Sequence, residues 1–224
     1  MMSRLLKTFW TVAAMLGILI PISAGAETAP DVLARNTTEE VLSIIRKDKE
    51  IQAGNTRRIY ELVDAKVLPH FDFNRMAQLA VGKHWSKATP EQKQSLVREF
   101  RMLLVRTYSN SLSAFGKYTV DFKPLAARPE DTDVTVKSEV RLPGAQPVPI
   151  DYTMEKMADG WKVYDVAVDG VSLVTNYRAS FANEIRAKGI DGLIDTLAGK
   201  NATAMNGEAK TKAAEKGSAP QKNK

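Results

Sequence analysis

Two changes of period divide the chain. Between residues 30 and 116 apolar side chains recur at three- and four-residue spacing, from 118 to 168 they alternate, and after 170 the helical spacing returns. The first block predicts a helix over 30–49 with Leu33, Val41, Ile44 and Ile45 on one side, broken at Gly54-Asn55. A second helix over 56–67 carries Ile59, Leu62, Val63 and Val67 and ends before Pro69. Asp72 then reads as the N-cap of a short third helix with Met76, Leu79 and Ala80, stopped by Gly82; Trp85 follows as an apolar plug. Thr89-Pro90-Glu91-Gln92 is a capping box with proline at the first helical position. It starts a long helix whose stripe, Leu96, Phe100, Leu103, Leu104, Thr107, Tyr108, Leu112 and Phe115, runs about seven turns to Gly116.

The alternating block predicts strands. Tyr118, Val120 and Phe122 make the first, Val134 to Leu142 the second, Val148, Ile150, Tyr152 and Met154 the third, and Trp161 to Val168 the fourth. Short connections make them an antiparallel meander. The fourth strand has apolar groups on both faces, turns at Asp169-Gly170, and leads into a helix with Val171, Val174, Tyr177, Phe181 and Ile185 on one side. A shorter helix at Ile190, Leu193, Ile194 and Leu197 closes the unit. The expected fold class is α+β: a curved antiparallel four-stranded sheet packed with a helical subdomain.

The first residues bear on compartment. Arg4 and Lys7 precede an apolar run from Thr8 to Ile20, then Pro21 and the Ala24-Gly25-Ala26 cleavage pattern. That predicts a Sec-type signal peptide over 1–26, cleaved after Ala26, because the run is shorter than the ~20 apolar residues of a spanning helix. The expected domains are this leader, one folded unit over 27–199, and a disordered lysine-rich tail over 200–224. Export argues against ATP- or nicotinamide-dependent chemistry. The chain has no cysteine, which removes disulfides and thiolate chemistry.

A formal charge of +6 suggests an anionic partner, but the excess is not in the folded part. Setting aside Arg4, Lys7 and the six lysines and two glutamates of 200–224 leaves 24 basic and 24 acidic residues of the 32 and 26 in the whole chain. Nucleic acid is therefore not an expected partner. Candidate chemistry is sparse as well. His70 and His84 show no ligand-like spacing with acids, so no metal site is expected. Asp165 and Asp169 could pair for general acid/base work, though capping the turn is the plainer role. The serines lack a nucleophile elbow, and there is no phosphate loop or GxGxxG. An apolar ligand in an apolar concavity fits an exported chain with so few reactive groups. An enzyme on an apolar substrate with Asp165 or Asp169 as base, and a module binding partner helices, remain as alternatives.

The runs VLPHFDFNRMAQLAVGKHWSKATPEQ, FRMLLVRTYSNSL and WKVYDVAVDGVSLVTNYRASF together resemble the MlaC family, the toluene-tolerance or ABC-transporter auxiliary proteins, over about residues 30 to 198. The resemblance implies a periplasmic phospholipid carrier of the Mla lipid-asymmetry pathway, with an NTF2-like sheet around an apolar cavity and no enzymatic activity. The implied partners are phospholipid, bound as cargo with no other cofactor, the outer-membrane MlaA–porin complex and the inner-membrane Mla ABC transporter. The expected state is a monomer, and the rival is an NTF2-like enzyme. From the facing of the stripes, the expected lining is Met76, Leu79, Trp85, Leu103, Tyr108, Val166, Val168, Val171, Val174 and Tyr177.

Overall fold

The computed structural model describes residues 28–217, except 129 and 143. The leader predicted over 1–26 and the last seven residues lie outside the described residues. Helices α1 (Pro30–Lys47), α2 (Lys49–Gln52), α3 (Thr56–Lys66), α4 (Phe73–Val81) and α5 (Pro90–Ser109) precede strands β1 (Thr119–Phe122), β2 (Asp133–Arg141), β3 (Val148–Met157), β4 (Gly160–Val168) and β5 (Val171–Ser172). Helix α6 (Leu173–Gly217) follows.

Local chemistry explains most boundaries. The Thr89 hydroxyl accepts from Gln92 N at 3.2 Å while Gln92 Oε1 accepts from Thr89 N at 3.0 Å, which starts α5 as a reciprocal capping box. Asp72 accepts from Arg75 N and starts α4. Gly82 ends α4 with φ +61, a conformation side chains resist. The long helix differs from expectation: its α-helical part stops at Ser109, and residues Asn110–Lys117 tighten into a 3-10 helix. Gly189, at φ 75 and ψ −178, breaks α6 where the sequence separates two helices. Its second stretch continues to Gly217, through residues where composition predicts a disordered tail. The folded unit does not end at 199, since Asn201 is buried and its amide donates to Glu99 O and Oε2.

The sheet is an antiparallel meander in the order β1-β2-β3-β4-β5. It has five strands rather than four, because Val171 and Ser172 pair back on Val168 and Ala167 instead of starting the helix. Asp169 (φ 51) and Gly170 (φ 77) form the hairpin turn, as an Asp-Gly pair at two positive φ values does. The register explains why β4 reads as apolar on both faces. Thr153 faces Asp165 and Met154 faces Val163, so Tyr164 is an extra, unopposed residue. This β-bulge reverses the alternation, and Trp161 and Val163 before it share the inner side with Val166 after it. The strand is one-sided on either side of the bulge.

On that inner side Val136, Tyr152 and Val166 form one cross-strand row, and Val134, Met154 and Val163 another. The outer face carries ion pairs such as Lys123 with Glu139 and Arg141 with Asp121. Tyr164 turns its hydroxyl to Asp133 at 2.8 Å, and the Arg75 guanidinium lies 3.6 Å from its ring centre, pinning α4 to the bulge. Burial and the Asp133 carboxylate push the Tyr164 phenol up to about 12. Three apolar clusters result: α4, α5 and α6 around Phe100, α1 and α3 around Ile45, and the sheet with α1 around Val136.

Candidate apolar ligand site

The clusters do not close on one another. Between α1 and the inner face of the sheet lies a cavity of about 200 Å³. Leu33, Ala34, Val41 and Ile45 of α1 form one wall, and Val140, Ile150, Tyr152 and Val163 the other. Between α3, α4, α5 and Val166 lies a second of about 180 Å³, lined by Val63, Phe73, Met76, Leu104 and Leu173 among others. Val67, Phe71 and Leu112 belong to both linings, so the two are neighbouring lobes of one hollow. An apolar void of about 150 Å³ stays dry and takes up apolar guests. Each lobe is of that size or larger.

Local structure explains the gap. Phe71 extends from the turn after Pro69, bridges Val163, and stacks on Phe73 with ring centres 5.8 Å apart. Phe71 thus ties the start of α4 to β4 and stands between the two cavities. Polar groups on the walls are few. Burial raises the Tyr152 phenol above its ordinary value, although Ser138 and Thr38 hydrogen-bond to it. Burial, aided by the Lys162 ammonium and opposed by Glu40, lowers the His70 imidazole, so His70 is neutral at pH 7 where it meets the first lobe. At the second lobe Tyr108 is 39 % exposed, and burial together with Tyr177 raises its phenol.

Of the ten residues expected to line a cavity, Met76, Tyr108 and Val166 come together on the second lobe. Leu79, Trp85, Leu103, Val174 and Tyr177 instead join the solid cluster around Phe100. Val168 pairs with Ile150 at the strand end, and Val171 lies on β5 with 58 % of its surface exposed. The reason is geometric: β5 replaces the expected first helical turn, so Val171 leaves the α6 stripe. The whole first lobe was missed. The even alternation of β2 and β3 marked its sheet wall, but nothing in the α1 stripe shows that it stands off the sheet.

The aspartates do not form a reactive pair. Asp165 accepts from Val166 N at 2.9 Å, from the Ser172 hydroxyl at 2.5 Å and from Val174 N at 3.2 Å, capping the start of α6. Asp169 occupies the hairpin turn. Among the described residues no group of three or more His, Asp or Glu could hold a metal ion.

The sequence profile of the MlaC protein family matches residues 35–199, which takes in all of the second lobe and all of the first but Leu33 and Ala34. The chain belongs to the MlaC family. It is 28 % identical over 186 residues to the toluene tolerance protein ttg2D of Pseudomonas putida, covering 82 % of this chain and 86 % of that one. It is 20 % identical to the intermembrane phospholipid transport system binding protein MlaC of Haemophilus influenzae, over 86 % of this chain and 92 % of the other. Among solved structures, a phospholipid-binding protein of Ralstonia solanacearum in complex with a phospholipid superposes with a TM-score of 0.74 at 39 % identity. It covers 79 % of this chain and 98 % of its own. This MlaC-family member thus has the fold of a protein seen with lipid, with its hollow between sheet and helices.

Proposed function

We propose that the chain is a periplasmic phospholipid carrier of the Mla pathway, taking lipid tails into the two lobes and leaving the headgroup outside them. The observation that carries the reading is the two-lobed apolar hollow, in a chain similar over most of its length to a structure that contains a phospholipid. The energetics suit a carrier. Each buried CH₂ contributes ~0.8 kcal/mol, so two tails supply most of the affinity, and a headgroup outside the apolar lobes avoids the cost of burying its phosphate there. Exchange partners would be the inner-membrane ABC transporter and the outer-membrane MlaA–porin complex, and the working unit a monomer. Asp165 is engaged as a helix cap, which speaks against the rival reading of it as a catalytic base. Native mass spectrometry of protein purified from cells tests this: the expected result is a mass increment of one phospholipid, and a lipid-free species would end the proposal.

A further inference from the structure

A groove of about 520 Å³ runs along the outside of the contact between α3 and α5, and neither lobe includes it. Its walls carry Arg98, Arg101 and Arg106 from α5, with Met102 exposed between them. Two lining residues, Leu68 and Val105, also line the second lobe, so the groove and the hollow share a wall. Arg101 stands at that boundary, its guanidinium 5.7 Å from the ring centre of Phe73, another residue of the second lobe.

Charge in the groove favours an anion. Glu61 also lines the groove, but its carboxylate is taken up by the guanidinium groups of Arg57 and Arg58. Asp64 holds Arg101 at 2.7 Å, but both side chains are largely exposed, and such a pair is worth little in water. Arg98 bonds to Glu99 at 3.0 Å and remains mostly exposed. Arg106 donates from its guanidinium to Asn201 O, which anchors that group at the groove's end. Guanidinium groups match phosphate geometry with paired N–H donors, as they match a carboxylate, and two of them can share one phosphate.

We infer that this groove holds the phosphodiester of the cargo lipid, whose tails reach the second lobe between Leu68 and Val105; this rests on the carrier reading above. A free phosphate ion would have no use for the apolar wall or for Met102, whereas an amphiphile uses both. The alcohol beyond the phosphate stays in solvent, so the site selects for a phosphodiester and not for a particular headgroup. Leu68, in the 3-10 turn between α3 and α4, and Val105 of α5 form the wall that the tails would cross.

The test uses the full delipidated chain and two probes with the same oleoyl chains, dioleoylphosphatidylglycerol and dioleoylglycerol, with affinities read by native mass spectrometry. The parent should prefer the phospholipid by about tenfold or more. The R98Q/R101Q double variant should bring that ratio to within about twofold while dioleoylglycerol binding stays unchanged, which also reports an intact fold. Asp64→Asn, which frees Arg101, should widen the ratio, a gain that misfolding cannot produce. An unchanged ratio in the double variant overturns the site. So does inorganic phosphate that saturates the groove at millimolar concentration without weakening the phospholipid, which would make it a free-anion site. If the parent binds neither lipid, the carrier reading fails on its own account.

Discussion

Between α4, α5 and α6, Phe100 meets Tyr177 and Phe181 edge-on at 5.3 Å, and Ala77 and Ala80 allow the helices to close completely. Between α1 and the sheet, Leu33, Val41, Ile150 and Val163 are just as apolar, yet they face a void. The difference lies in what sets the spacing. Between α4, α5 and α6 small residues let backbones approach, whereas beside the sheet Phe71 bridges Val163 and Arg46 ties α1 to Gly116 O and Tyr118 O at the entry to β1. Apolar surface therefore serves as core between α4, α5 and α6, and as cavity wall between α1 and the sheet and where α4 and α5 face α3.

The largest expected effect lies in the filled half. Phe100→Ala should cost ~3–5 kcal/mol, seen in urea unfolding, because a closed cluster cannot collapse around the lost ring. A cost under about 1 kcal/mol would show that this half too has slack. Next comes a matched pair of alanines. Ala80→Phe should cost about 3 kcal/mol by overpacking. Ala34→Phe, which adds the same ring into the first lobe, should leave the lipid-free protein within about 0.5 kcal/mol of the parent and reduce lipid occupancy on purification. Equal losses of stability at the two sites would erase the contrast.

A smaller effect concerns pH. His70 has a folded-state pKa below its unfolded value, so it binds fewer protons when folded. Its contribution is complete above the ordinary histidine value of ~6.5 and is lost as pH falls from there toward the folded value. Unfolding curves at successive pH values should show that loss in the parent and not in His70→Gln. Smallest of all is Val171→Glu. With that side chain in solvent on β5, both stability and lipid occupancy should hold, and loss of lipid would mean that Val171 touches the cargo.

The pattern of residues alone determined the two period changes, the α5 capping box, the Asp-Gly turn, a separate short last helix from Ile190 and the α+β class, because each depends on neighbours within a few positions. Only tertiary structure decided that Tyr164 is a bulge, that Val171 and Ser172 make a fifth strand, and that Leu79, Trp85 and Tyr177 fill a core while Ala34, Val41 and Ile150 border a hollow. A stripe records which way a side chain faces. Whether another surface arrives to meet it depends on distances that Phe71, Arg46 and the sheet's register set together, and these are non-local.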